Sequence, residues 1–353
     1  MTPTATASVP MPPAPITGPS AWRGADLARS DAWIHHLTAA ERAELDTALA
    51  MTNGRDLLAI GRAEFPLPTF ARTLEAIRHE LLRGRGFVLL RGLEAARYSV
   101  RELATIYWSI GMHLGKARSQ NAAGHVLGHV RDVGRDEHDP NARIYQTNRR
   151  QNYHTDSVDI VALLCVNKAK RGGRSSLVSS VTVYNEIRAR RPDLAAVLFE
   201  PFHTDRRGEV PAGMKPWFAI PVFTWYEGAL TTMYVRRYIE SARRFPDVPP
   251  LTDAQREAMD LFDAIVEEPD IHLFMDFEPG DIQLVHNHQV LHDRTEFEDW
   301  PEPERKRHLL RLWLCPPDGR PLPPAFAARY GSVTVGDRGG IVVPDARLTV
   351  PLS

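Results

Sequence analysis

Gln151-Asn-Tyr-His154-Thr-Asp156-Ser-Val158-Asp-Ile160-Val-Ala-Leu-Leu164-Cys-Val166, followed by Gly172-Gly173-Arg-Ser175-Ser176, is the stretch on which the fold turns. Val158, Ile160, Val161, Leu163, Leu164 and Val166 are β-prone and the glycine pair marks a turn, so a buried strand is expected over 158–166. His154 and Asp156 are two residues apart and share one face of an extended chain just before it. With a third histidine from a distant strand they would make a two-histidine, one-carboxylate face. That arrangement leaves coordination positions open and suits non-haem Fe(II) that must bind oxygen and a cosubstrate. The same tripeptide recurs at His203-Thr204-Asp205. Context separates the two copies. His154 leads into a rigid strand, whereas Arg206-Arg207-Gly208-Glu209 after the second copy is a polar turn whose cations disfavour a metal ion. His203 reads as a surface or pocket-rim residue.

The third ligand is sought in Gly280-Asp-Ile-Gln-Leu-Val-His286-Asn-His288-Gln-Val-Leu-His292. His286 and His288 are expected on one strand face and His292 near the strand end; spacing leaves all three open, as ligands or as packing residues. Fifteen residues on, Arg307-His-Leu-Leu-Arg311-Leu-Trp313-Leu314 places Arg307, Leu309, Arg311 and Trp313 on one face of a strand. A guanidinium buried there without a partner costs several kcal/mol, roughly, so each arginine should meet an anion. Internal carboxylates such as Asp276 or Glu278 are the plain candidates, and small-molecule carboxylates the sharper ones.

Around these motifs, strands and helices are interspersed. Capping boxes open helices at Thr38 and Thr252, Ser99 caps a third, and apolar spacing gives a helix over about 69–83. Residues 181–200 look helical. Strands are expected at Phe87–Leu90, around Ile144, and at 272–277, 281–287 and 308–314. Strand blocks with inserted helices argue for an α+β domain built on a β sandwich or jelly roll. The first twenty residues hold six prolines and no charged side chain, and read as a disordered arm.

With 353 residues, 43 cationic against 44 acidic side chains and two cysteines, the chain has no field that would recruit nucleic acid and no disulfide framework. No apolar run reaches the roughly 18 residues of a membrane helix. A cytoplasmic protein with a small-molecule partner is expected, and helices outside the β core leave room for a homo-oligomeric face.

In order, His154-Thr-Asp156, Gly172-Gly-Arg-Ser175, Gly280-Asp281 leading to Asn287 and His292, and the Arg307/Arg311 pair resemble the taurine dioxygenase and clavaminate synthase-like Fe(II)/2-oxoglutarate-dependent oxygenases. The likeness includes Gly84-Arg-Gly-Phe-Val-Leu-Leu-Arg91-Gly92. It implies a double-stranded β-helix (jelly roll, cupin-like) core over about 70–330, with flanking and inserted helices, in a single oxygenase domain spanning 21–353. It implies Fe(II) on His154, Asp156 and His292, and so selects His292 from the three. The distal carboxylate of 2-oxoglutarate would lie on Arg307, assisted by Ser175 or Ser176, and Arg311 would grip an acidic group on the substrate. Tyr145, Gln146, Tyr153 and Arg206 are further pocket candidates.

The activity implied is oxidation of a C–H bond, by hydroxylation or a related reaction, of a small anionic or amino-acid-like substrate. O2 and 2-oxoglutarate would be consumed and succinate and CO2 released. Two other classes compete: a Zn-dependent hydrolase on the same three ligands, and a non-enzymatic β-sandwich ligand-binding protein. The paired arginines weigh against the hydrolase, which has no use for a dicarboxylate cosubstrate.

Overall fold

The apolar run after Asp156 forms the strand Ile160–Asn167 at the middle of a seven-stranded sheet. On one side lie Ile282–His286, Phe87–Arg91 and Ile34–His36; on the other lies His308–Cys315, whose far edge takes both Lys116–Ala117 and Leu127–Val130. A second sheet has four antiparallel strands in the order His272–Met275, Ser175–Ser179, Val290–Arg294 and Gln151–His154. A computed structural model describes residues 11–12, 15–52, 54–136, 143–211, 213–341 and 346–352.

Strand alternation dictates the layering. Phe87, Leu89, Cys165, Val285 and Leu309 point from the large sheet toward Leu177, Leu273, Met275 and Val290 of the small one, forming the core between the sheets. Val88, Leu90, Leu164, Leu284, Leu310, Leu312 and Leu314 point the other way, against the helices Ala39–Met51, Phe70–Arg83 and Val100–Leu114. Tyr153, Val178 and Leu291 leave the outer face of the small sheet for a third core under Ser180–Arg190, Pro192–Val197 and Asp253–Val266. The capping boxes at Thr38, Ser99 and Thr252 all form, each with both reciprocal bonds.

Several expectations are corrected. The helix expected over 181–200 is two helices, because Pro192 cannot continue the first and opens the second. Ile144 lies in a 3-10 turn, Ile144–Gln146, rather than a strand. His286 and His288 do not share a strand face: the strand ends at His286, residues 287–289 cross from one sheet to the other, and a new strand begins at Val290. Part of the proline-rich arm packs against the rest of the chain. The Ile16 backbone exchanges hydrogen bonds with the Asn185 side chain, at 2.9 and 2.7 Å, and Met11 and Ile16 pack on the third core. Two apolar side chains and one amide clamp suffice to dock it; residues 1–10 and 13–14 lie outside the described residues.

The crossing at 287–289 sits on a buried ionic network. Asp159 accepts from His288 Nε2 at 2.7 Å and from Arg338 Nη2 at 2.6 Å, and Arg338 Nη2 also donates to the Arg320 carbonyl at 2.6 Å. Burial alone would raise the Asp159 carboxyl pKa, but the hydrogen bonds from His288 and Arg338 outweigh it and hold the group well below the usual carboxylate range. Its contribution to stability is therefore complete above the unfolded carboxyl value and lost as pH falls through the lowered folded one. Asp159→Asn strands a buried guanidinium and is expected to cost about 3–5 kcal/mol. The urea midpoint reads this directly, and a loss under about 1 kcal/mol would show that the network does not hold the C-terminal segment.

Candidate active site

His154 and His292 are direct cross-strand partners in the small sheet, so the backbone register itself brings their rings together, with centroids 4.2 Å apart. The register slips between His292 and Arg294, a bulge of the kind that re-aims side chains next to active sites. Asp156 follows on the turn out of the same strand. Its Oδ1 lies 3.9 Å from His154 Nε2 and its Oδ2 3.9 Å from His292 Nε2. One ligand atom from each of the three falls within 4.8 Å of the others. The turn is fixed by Asn287, whose Oδ1 accepts from the Asp156 N–H at 2.7 Å. Its Nδ2 donates to the carbonyls of Asp156 (2.6 Å) and Val158 (2.9 Å).

Protonation states suit a divalent metal. His154 Nδ1 donates to the Asn152 carbonyl at 2.8 Å, so Nε2 keeps its lone pair for the site, and the Gln151 amide donates to it at 2.8 Å. Burial lowers the pKa of His154, and burial together with the neighbouring His154 brings His292 down to about 3. For Asp156, burial pushes upward but Arg311 and the two histidines prevail, leaving it at about 2. Two neutral imidazoles and an ionised carboxylate are what Fe(II) ligation requires.

The Arg307/Arg311 strand faces this set from the large sheet. Arg311 Nη1 approaches Asp156 Oδ2 at 3.3 Å, its Nε donates to Gln120 at 2.7 Å, and its guanidinium lies between the rings of Tyr145 and Trp313. Trp313 Nε1 donates to the same carboxylate oxygen at 2.9 Å. One turn of chain earlier, Arg307 is 4% exposed and has no carboxylate partner among the described residues. Its Nη1 is buried without a hydrogen bond, and burial pushes its pKa down to about 10. Arg307, Ser175, Arg294, His154 and His292 line a single cleft. Ser175 and Ser176 point to opposite sides of their strand, and only Ser175 lines that cleft; the Ser176 hydroxyl is engaged with Tyr153. A buried guanidinium with an unused donor, beside a ready ligand set, fits a metal-chelating dicarboxylate. The glycine turn makes room for it: Gly173 has φ +67°, and a Cβ there would lie 2.9 Å from Arg307 Nε.

A larger cavity of about 460 Å³ opens on the other side of His154 and Asp156. Tyr145, Tyr153, Arg206 and Arg311 line it. Gln146 does not, because the 3-10 turn directs it elsewhere, and it lines neither cavity. His203 packs edge-on against Trp217, outside the three-residue ligand cluster, and Asp205 is held by Arg244 at 3.0 Å. Gln120, Gln151, Arg294 and Arg329 had no local signal in the sequence. Arg329 sits on a helix of four residues near the C-terminus, where nothing in the spacing connects it to His154.

The profile of the family described as "Taurine catabolism dioxygenase TauD, TfdA family" matches residues 52–313. The chain belongs to the TauD/TfdA dioxygenase family. It is similar to FR-33289 synthase of Streptomyces rubellomurinus (strain ATCC 31215), with 31% identity over 90% of this chain and 95% of that protein. Among solved structures it is similar to asparagine oxygenase in complex with Fe(II), 2S,3S-3-hydroxyasparagine and succinate, with a TM-score of 0.62 and 15% identity over 80% of this chain and 93% of the other. It is also similar to the non-heme iron oxygenase OrfP in complex with Fe and alpha-ketoglutaric acid, with a TM-score of 0.58 and 17% identity over 80% and 93%. The fold is therefore the cupin-like double-stranded β-helix. This TauD/TfdA dioxygenase is an oxidoreductase whose cofactors are Fe(II), 2-oxoglutarate and O2. The zinc-hydrolase and binding-protein readings give way to it.

Two substitutions test how this dioxygenase builds its centre. Asn287→Ala frees the Asp156 turn without touching a ligand, and is expected to weaken Fe(II) binding about 10- to 100-fold in an anaerobic titration. Gly173→Ala should displace Arg307 and raise the KM for 2-oxoglutarate about tenfold, the equivalent of one charge-assisted hydrogen bond, with kcat little changed. An unchanged KM would separate Arg307 from the cosubstrate.

Proposed function

We propose that this dioxygenase oxidises a C–H bond of a small anionic or amino-acid-like molecule, with His154, Asp156 and His292 holding Fe(II). Arg307 and Ser175 hold the distal carboxylate of 2-oxoglutarate. The observation that carries this assignment is the buried, unpartnered Nη1 of Arg307 in the same cleft as both histidines. When bound, Fe(II) with 2-oxoglutarate supplies the oxidising power, as O2 is reduced and the keto acid is converted to succinate and CO2.

The chain's own residues do the rest by placement. Asn287 and the sheet register fix the three ligands, and Trp313 and Arg311 keep Asp156 ionised and oriented. Arg311, on the wall shared by cleft and cavity, turns its remaining edge toward the substrate. Tyr145, packed on the Arg311 guanidinium, adds apolar wall that excludes water from the reacting carbon. Two free, buried cysteines, Cys165 and Cys315, support work in a reducing cytoplasm, and among the described residues no helix is long and apolar enough to cross a membrane.

Anaerobic visible absorption of the protein titrated with Fe(II) and then 2-oxoglutarate tests the assignment. A weak charge-transfer band that needs both is expected in the parent enzyme. His154→Ala and Asp156→Ala should lose it together with iron retention and succinate formation. Full turnover by either variant at normal iron loading would refute the ligand set.

A further inference from the structure

The larger cavity carries more positive charge than its own carboxylates answer. Of the arginines on its wall, Arg143 is paired with Glu209, Arg150 with Asp293 and Glu267, Arg236 with Asp263, and Arg311 with Asp156, and Arg237 is also engaged. Arg206 and Arg329 have no carboxylate partner among the described residues. Asp205, which also lines the cavity, is held by Arg244 and Ser241. Arg206 is 4% exposed; its Nε donates to the Lys215 carbonyl at 3.0 Å and its Nη2 to that of Ala328. Arg329, half-buried, donates through Nε to Ser157 Oγ at 2.7 Å, and its remaining nitrogens have no hydrogen-bond partner among the described residues. The two guanidiniums flank one ring, lying 5.1 and 5.5 Å from the centroid of Phe218. Burial brings both down to about 10, and each feels a neighbouring arginine, Arg329 for Arg206 and Arg143 for Arg329. Two cations beside one ring, neither with a carboxylate partner among the described residues, favour an anion from outside the chain.

We propose that Arg206 and Arg329 form the substrate's anion subsite, and that its occupant is a dianionic tetrahedral group, a phosphate or phosphonate. This rests on the oxygenase reading above and adds a binding class to it. A carboxylate or sulfonate would neutralise one guanidinium and leave the other uncompensated. A group with about two charges and three acceptor oxygens answers both and still has an oxygen for a further donor. The subsite lies close to the metal ligands, since Ser157, which Arg329 grips, follows Asp156 directly in the chain. The anion and the oxidised carbon therefore belong to one small molecule. Arg311 then serves Asp156 and the mouth of the cleft, while the substrate's charge is read by Arg206 and Arg329.

Calorimetric titration of the Fe(II)/2-oxoglutarate-loaded enzyme under anaerobic conditions tests this. The probes are propylphosphonate, propyl phosphate, propane-1-sulfonate and butyrate. One or both of the first two should bind at least about tenfold more tightly than the last two, and which of them binds better tells ester from phosphonate. Arg206→Gln and Arg329→Gln should each weaken that binding about 10- to 100-fold, the range of one or two charge-assisted hydrogen bonds. The iron–2-oxoglutarate absorption band should be unchanged, and Arg329→Lys should recover part of the loss. No saturable binding of either dianion, equal affinity for all four probes, or Gln variants that bind as the parent does would each overturn the proposal. Loss of the absorption band in the parent enzyme would instead be the failure of the oxygenase reading.

Discussion

Holding two imidazoles and a carboxylate against one another at the mouth between two sheets is the constraint on which the rest of the structure depends. Three such groups, desolvated together, have no reason to converge without a cation to share. The chain achieves it with backbone geometry. Opposite positions in an antiparallel pair bring His154 and His292 together as a matter of register, and one amide, Asn287, sets the turn that adds Asp156. The cost is spread outward. Asn287 belongs to the short crossing between the sheets, and the next residue, His288, anchors that crossing on Asp159 and Arg338. Ligand placement and the C-terminal segment are thus stabilised by the same few buried bonds.

Much of this was legible in the sequence because strands impose a period of two. The alternation from Arg307 to Leu314 separates into site-facing Leu309, Arg311 and Trp313 and helix-facing Leu310, Leu312 and Leu314, as the spacing implies. Helix starts were equally legible, since a capping box is a local device. Other features were hidden because the contacts that decide them are distant in sequence. His286 and His288 look like one strand face until the chain changes sheets between them. The proline-rich arm looks unable to fold until Asn185, more than 160 residues away, clamps it. Arg329 had no motif at all; only tertiary packing brings it beside Ser157.

The two glycines of the turn at 172–173 show how a local feature serves two purposes. Their positive φ values, +68° and +67°, make the tight reversal that sets the Ser175–Ser179 strand beside Val290–Arg294. A side chain at Gly172 would run into the Glu296 backbone, and one at Gly173 into the Arg307 side chain. The first glycine lets the turn form, and the second leaves a channel through which a buried arginine reaches the cleft. The sequence pattern marks both as a turn, but only the packing reveals which one lies against Arg307.

Charge balance gives the two arginine sets different work. Arg143, Arg150, Arg236 and Arg311 each meet a carboxylate of the chain itself, so their charge serves to hold the cavity walls together. Arg307, Arg206 and Arg329 meet none among the described residues, and burial lowers the pKa of each to about 10. A desolvated guanidinium without an internal carboxylate is destabilising until an anion reaches it. That is why the proposed cosubstrate and substrate contacts fall on these three and not on their paired neighbours.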